Sequence, residues 1–344
     1  MTTSNAPAAD TPAKPRIGII GGYGHECVRP LPGAEIARAL DGYDDAARRR
    51  AEASPECLLF PDMDRLIEEF SPGILYIGSA YGRNGDLVVA ALERGLSVVC
   101  EKPIATDWDV LRRIEDLTAD GHLRVIADFA MRWSPTIVRA REIIKAGGIG
   151  SVVMAQAQKS YKFGKGRPEF YKTRELFGGI IPWVAIHAID WTTWCCDLRF
   201  ESVTATHGLK RFSDYPGMED HASMLFRMEG GVPAVVTSDF MRPGGASSHS
   251  DDRLRITGTE GVVEARGDTL FVVDSSGERT IDCPMLESVN IERAVELFDA
   301  ANGGEGCRLN TPASLQSTAA ALAARQSADS GGQWVEVPRT GLSA

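Results

Sequence analysis

The stretch that most limits what this chain can become is Arg16-Ile17-Gly18-Ile19-Ile20 followed by Gly21-Gly22-Tyr23-Gly24. A short, unalternating apolar run reads as a strand buried on both faces, and such strands belong to parallel sheets. Glycines at its end permit a tight turn and let backbone N–H groups approach a ligand at a following helix N-terminus. The theme repeats downstream: residues 34–40 are apolar, residues 62–70 carry a helical pattern, residues 74–77 and 97–100 are further apolar runs, and residues 86–94 predict a helix closed by Gly95. Strands alternating with helices in this order predict an α/β, doubly wound Rossmann domain.

Ligands of an open parallel sheet sit outside the C-terminal ends of its strands. That edge carries Gly21, Gly22, Tyr23 and Gly24, then Ser79, Ala80 and Tyr81, then Glu101, Lys102 and Pro103. Asp41 lies about 20 residues beyond the first glycine, where an acid takes the hydroxyls of a ribose. A carboxylate there repels a 2′-phosphate, so NAD is expected rather than NADP, with Arg48, Arg49 and Arg50 as the one nearby compensation. The fingerprint is altered. Gly22-Tyr23-Gly24 runs on to Cys27, and Pro30 and Pro32 leave little room for a regular first helix. Lys102 reads two ways: as a solvated partner of Glu101, or as an ammonium reaching a nicotinamide ribose and a substrate hydroxyl.

After residues 124–128, a strand, and residues 135–145, a helix, the pattern changes. Residues 151–158, 200–206, 221–228, 232–239, 252–258, 261–266 and 269–274 read as strands, and connections as short as Glu229-Gly230-Gly231 predict hairpins. A second, C-terminal α/β domain with a large, mostly antiparallel open sheet is expected. Residues 312–329 read as an Ala-rich helix and residues 333–337 as a last strand. The expected division is a disordered tail over residues 1–15, a dinucleotide-binding domain over 16–133, and a substrate-binding and oligomerisation domain over 134–344.

Residues 178–197 are too apolar for a surface helix yet hold one histidine and one acid. At about 3.6 residues per turn, Trp183, His187, Asp190 and Trp194 are expected on one face. A buried imidazole and carboxylate must be hydrogen-bonded or charge-paired, so both are either satisfied core groups or members of a site. This helix is expected to cover one face of the second sheet. The other face has no helix left for it, which predicts a homodimer or homotetramer through the C-terminal sheet.

A net charge of -10 without clustered Lys and Arg argues against nucleic acid and against anionic membranes as partners. Seven scattered cysteines form neither a disulfide framework nor a metal-ligand spacing, and a reducing cytoplasm fits them best. No apolar run approaches the roughly 20 residues that span a bilayer.

Taken together, Glu101-Lys102-Pro103 after Ala91-Leu92-Glu93-Arg94-Gly95, Gly178-Gly179 with His187 and Asp190, Glu219-Asp220, and Gly258-Thr259-Glu260-Gly261 resemble the family of glucose-fructose oxidoreductase, inositol dehydrogenase and the rhizopine-catabolism proteins (Gfo/Idh/MocA). The resemblance covers nearly everything after the N-terminal tail. It implies NAD(P)-dependent hydride transfer to or from a secondary alcohol or ketone of a sugar, cyclitol or related polyol, with a small carbohydrate-like substrate and no metal. Lys102 matches the lysine that contacts nicotinamide ribose and substrate, His187 the histidine that handles the hydroxyl proton, and Asp190 the acid one turn on. Trp183, Asp190, Arg132, Tyr171 and Lys172 are expected around the substrate, the last two on a specificity loop over residues 162–174. Two departures stand out: Trp183 occupies the position of a frequent aspartate, and Asn84 that of a histidine. They keep two alternatives open, a redox-neutral lyase that retains NAD and a non-catalytic sugar or nucleotide sensor.

Overall fold

The computed structural model describes residues 14–54 and 56–340; most of the expected tail lies outside them. The first half alternates as β1 (Arg16–Gly21), β2 (Glu35–Ala39), α1 (Asp44–Glu52), β3 (Leu58–Phe60), α2 (Met63–Phe70), β4 (Ile74–Gly78), α3 (Asn84–Glu93), β5 (Val98–Cys100), α4 (Trp108–Thr118) and β6 (Val125–Ala127). Its strands form one parallel sheet in the order β3-β2-β1-β4-β5-β6. The strand order reverses between β1 and β4, which places a crevice at their C-terminal ends. β4 is buried throughout, as an all-apolar strand covered on both faces must be. Helix starts follow local chemistry: the Asp62 and Asp107 side chains accept from the amides of Arg65 and Val110 and so cap α2 and α4.

Here Pro30 and Pro32 act as expected. No helix follows the glycine turn; residues 25–33 cross to β2 as turns. Pro30 and Pro32 withdraw amide donors, and Glu26 folds back with φ +51° to pair with Arg38 and Arg50 at 2.6 Å each. The helix N-terminus expected behind the turn is therefore absent. Instead Ala46 and Ala47 of α1 press on Gly22, where a Cβ would stand 2.3 Å from the Ala47 nitrogen.

The second half runs α5 (Pro135–Lys145), β7 (Val152–Tyr161), α6 (Arg174–Phe177), α7 (Ile186–Cys196), β8 (Phe200–Gly208), β9 (His221–Met228), β10 (Val232–Asp239), β11 (Ser250–Gly258), β12 (Gly261–Arg266), β13 (Thr269–Asp274), β14 (Gly277–Asp282), α8 (Ser288–Ala301), α9 (Thr311–Asp329) and β15 (Val335–Glu336). The sheet order is β14-β13-β12-β11-β7-β10-β9-β8-β15, antiparallel except where β10 runs parallel to β7. β9 shows the cause, alternating buried Ala222, Met224, Phe226 and Met228 with outward residues. Helices α5, α7 and α9 lie on this sheet. The opposite face presents Leu225, Val235, Phe271 and Val273, each 40–43% exposed.

Helices α1, α4 and α8 and strands β3 and β14 go beyond what the patterning predicts. β14 is almost wholly exposed and α1 buries only Ala46 and Ala47, so neither carries a strong apolar period. α9 also returns to the first sheet: Thr311 Oγ1 and Ser314 Oγ accept from the amides of Val125 (3.2 Å) and Ala127 (3.0 Å) on the edge strand β6.

Candidate active site

Two segments meet over the crevice, the turn after β5 and the helix expected at residues 178–197. That helix is not continuous. Gly178 and Gly179 take φ +81° and +103°, Ile181–Ala185 forms a π-helical turn, and α7 begins only at Ile186. Glu219 fixes this start by accepting from the Ile180 amide at 3.0 Å. π-turns shift the face a helix presents. This one includes Trp183 and lies ahead of the regular α7 that carries His187, Asp190 and Trp194; the four residues expected on one face divide by their neighbours instead.

Trp183 and His187 belong to one side. The indole stacks on Tyr81 with centroids 3.4 Å apart and planes 12° from parallel. Lys102 Nζ stands 3.0 Å from the indole centroid and donates to the Trp183 carbonyl at 2.9 Å. His187 is buried, and its Nδ1 has no hydrogen-bond partner. Burial, reinforced by the charges of Lys102 and Lys159, drives its pKa well below the ordinary histidine value. Asp190 and Trp194 belong to another side. The Asp190 carboxylate takes both Nε and Nη2 of Arg132, at 2.9 and 2.7 Å, and the Ser317 hydroxyl at 2.9 Å. The Arg132 guanidinium also lies 5.6 Å from the Trp194 ring. Asp190 and Arg132, both expected around a substrate, thus spend their charges on each other.

Lys102 is 1% exposed, with Glu101 Oε1 3.7 Å away. Burial outweighs that carboxylate and lowers its pKa to about 7. Burial works the opposite way on Glu101, but His25 and Lys102 overcome it and hold the carboxyl at about 2. His25 Nδ1 meets Glu101 Oε2 at 2.6 Å, and its own pKa is raised by that charge. Sequence reasoning passed over His25, although its place directly after Gly24 in the glycine turn is a usable signal. His25, Glu101 and Asp128 each put one potential ligand atom within 4.8 Å of the others. Arg293 on Asp128 and Lys102 beside Glu101 already balance those acids.

Asn84 clamps the edge together. Its Oδ1 accepts from the Ser79 amide at 3.0 Å, and its Nδ2 donates to the carbonyls of Glu101 (3.1 Å) and Pro103 (3.3 Å). Tyr81 and Tyr171 share a hydroxyl hydrogen bond of 3.0 Å, so the loop over residues 162–174 reaches the crevice through Tyr171. Lys172, expected beside it, pairs with Glu169 at 2.9 Å and is half-exposed. Tyr23 lies edge-on to Phe170, 5.0 Å between centroids. Ala80 is buried within the edge.

Asp41 stands two residues beyond β2: Oδ1 accepts from the Tyr43 amide at 3.0 Å while Oδ2 is buried without a hydrogen-bond partner. Arg48 pairs with Asp44 and Arg50 with Glu26, so neither neutralises Asp41. Ser79 Oγ and Glu101 Oε1 are likewise buried without a hydrogen bond, although Lys102 Nζ stands 3.7 Å from Oε1. Buried polar atoms without a hydrogen bond are rare in folded chains, and these three lie along one edge.

Comparison with known proteins gives the family and the fold. Residues 16–129 match the family described as an oxidoreductase family with an NAD-binding Rossmann fold, and residues 137–264 match the Gfo/Idh/MocA C-terminal domain. A solved Thermotoga maritima protein, provisionally described as an oxidoreductase, is 33% identical, superposes with a TM-score of 0.87, and is covered over 100% of its length by 94% of this chain. Levoglucosan dehydrogenase in complex with NADH shares the fold at a TM-score of 0.79 and 19% identity, over 94% of this chain and 99% of that one. Inositol 2-dehydrogenase 4 of Saccharopolyspora erythraea is 24% identical across 64% of this chain. The aligned stretch spans 65% of that enzyme, slightly under two thirds. D-xylose 1-dehydrogenase (NADP(+)) 2 of Haloferax volcanii is 27% identical over 72% of this chain and 74% of its own length.

Proposed function

Because the chain belongs to the Gfo/Idh/MocA oxidoreductase family, we propose that it is an NAD-dependent oxidoreductase acting on a secondary alcohol or ketone of a sugar, cyclitol or similar polyol. The observation that carries this reading is the burial of Lys102 and His187 together above the crevice, with His187 Nδ1 left unpaired.

The residues present fit a dinucleotide at its ribose and nicotinamide ends. Asp41 Oδ2 is a buried acceptor awaiting hydroxyl donors, and Ser79 Oγ is a free polar atom on the same edge. Asp41 would hold the adenosine ribose, residues 21–24 the phosphates, and Ser79, Tyr81, Glu101, Lys102 and Pro103 the nicotinamide side. The phosphates lose the helix N-terminus common in such folds and rely on the turn itself. NAD supplies a hydride acceptor when bound.

The chain's own residues manage the proton. His187 is held neutral by burial and by two neighbouring ammonium groups, so its ring nitrogen is open to a substrate hydroxyl proton. Lys102, with a pKa of about 7, supplies positive charge where oxygen becomes negative. Trp183 replaces a carboxylate in this arrangement and steadies the ammonium through its carbonyl and ring face. The specificity loop closes the crevice through Phe170 and Tyr171 and excludes water.

The test is to release and identify any nicotinamide nucleotide that co-purifies, and then to follow NADH absorbance with sugars and cyclitols. NADH formation is expected with at least one secondary alcohol. Unreactive protein that still binds sugar would favour the sensor alternative, which the unusual Trp183 position keeps in view.

A further inference from the structure

The chain carries a net charge of -10, yet one rim of the crevice is cationic. The end of β7 and the loop after it present Lys159, Lys162 and Arg167. Lys159 is buried and paired with Asp252 at 2.6 Å, and it lies close enough to His187 to depress its pKa. Lys162 and Arg167 have no carboxylate within ion-pair reach among the described residues. Lys162 Nζ donates to the Ala246 carbonyl. Arg167 donates to the carbonyls of Phe163 and Lys162, and its guanidinium lies 5.2, 5.5 and 5.8 Å from the ring centroids of Phe163, Tyr171 and Phe240.

Tyr171 joins this rim to the catalytic pair. Its hydroxyl meets Tyr81, Tyr81 stacks on Trp183, and Trp183 carries Lys102. A half-buried guanidinium ringed by aromatic side chains, with Nε and Nη2 tied to backbone carbonyls, keeps its Nη1 end for an oxyanion. Two cations lacking counter-ions beside a crevice in an acidic protein also focus an attractive field for an anion.

Resting on the oxidoreductase reading above, we propose that Arg167 and Lys162 form an anion subsite, so that the substrate is an acidic sugar bearing a carboxylate or phosphate rather than a neutral hexose or cyclitol. The acidic group docks at this rim, and the sugar ring extends past Tyr171 toward Lys102 and His187.

Calorimetry on the full chain saturated with NAD would compare D-glucuronate, D-gluconate and D-glucose 6-phosphate with D-glucose and myo-inositol, at low and high salt. At least one acidic sugar is expected to bind about tenfold or more tightly than its neutral counterpart, with the advantage shrinking in high salt. The carboxylate and phosphate arms identify the anion. Arg167→Gln should remove about tenfold of that preference while NAD affinity stays unchanged, and Arg167→Lys should restore part of it. Equal binding of acidic and neutral sugars, no binding of any acidic sugar, or a preference that survives both Arg167→Gln and Lys162→Gln overturns the subsite. Acid binding without NADH formation would leave the subsite standing and count against the oxidoreductase reading alone.

Discussion

His187 and Asp190 lie within one turn of the same helix, both buried, and the protein treats them in opposite ways. Asp190 has a bidentate arginine and a serine hydroxyl. His187 has an unpaired nitrogen and two ammonium groups nearby. The first pattern is that of architecture, in which every charge is answered at home. The second leaves a polar atom unsatisfied and a proton affinity displaced, which a fold tolerates where a ligand completes it. Burial alone does not separate the two; satisfaction does.

The sharpest attempt to break this contrast is Asp190→Ala, which strands the Arg132 guanidinium among α7 and α9. A loss of about 3–5 kcal/mol is expected in denaturant unfolding. A loss below 1 kcal/mol, roughly the value of an exposed pair, would mean that Asp190 is not the anchor described.

His187→Gln should do the reverse. Unfolding free energy is expected to move by less than about 1 kcal/mol, because no hydrogen bond at Nδ1 is lost, while turnover falls roughly 10²–10⁴-fold. Steady-state kinetics on whichever polyol reduces NAD provides the measurement. Retained turnover would remove His187 from the chemistry.

A third test concerns the pH dependence that Lys102 contributes. Its folded pKa of about 7 lies below the ordinary 10.5, so between these values the unfolded chain holds a proton that the folded chain has released. Stability from this group must therefore rise as pH increases from about 7 toward 10.5. Lys102→Met is expected to flatten that part of the Tm–pH curve and to raise Tm slightly at neutral pH. An unchanged slope would place the ammonium in a more polar environment than the structure gives it.

Much of the fold is legible in the residues because their patterns are local. The bounds of α5, β9, β10, β12 and β13 coincide with those read from apolar alternation, proline and glycine. The parallel, doubly wound character of the first sheet follows from its strand–helix alternation. The missing helix after β1 is half legible: Pro30 and Pro32 announce it, but the Glu26–Arg38–Arg50 cluster that replaces it depends on side chains brought together from three segments. The site behaves the same way. Lys102 and His187 are visible as residue types on a ligand edge and a buried helix. The pairing of Asp190 with Arg132 is not, because it rests on a partner 58 positions away and on Ser317 from a distant helix. His25 is only partly legible for a related reason, since its place in the glycine turn shows but its partner Glu101 lies 76 positions away; Arg167 has Phe163 and Tyr171 close by in the chain, and only Phe240 joins its rings from far along it.

The two hydroxyls that α9 lends to β6 set a timetable for synthesis. Ala127 and Ser314 are 187 positions apart, and at about 5–20 residues per second the ribosome needs roughly 10–40 s to travel between them. For that interval the nascent first sheet has its outermost amides open, an edge onto which another strand can add. The short length of β6, three residues, limits the hazard by offering little to pair with until its late partner emerges.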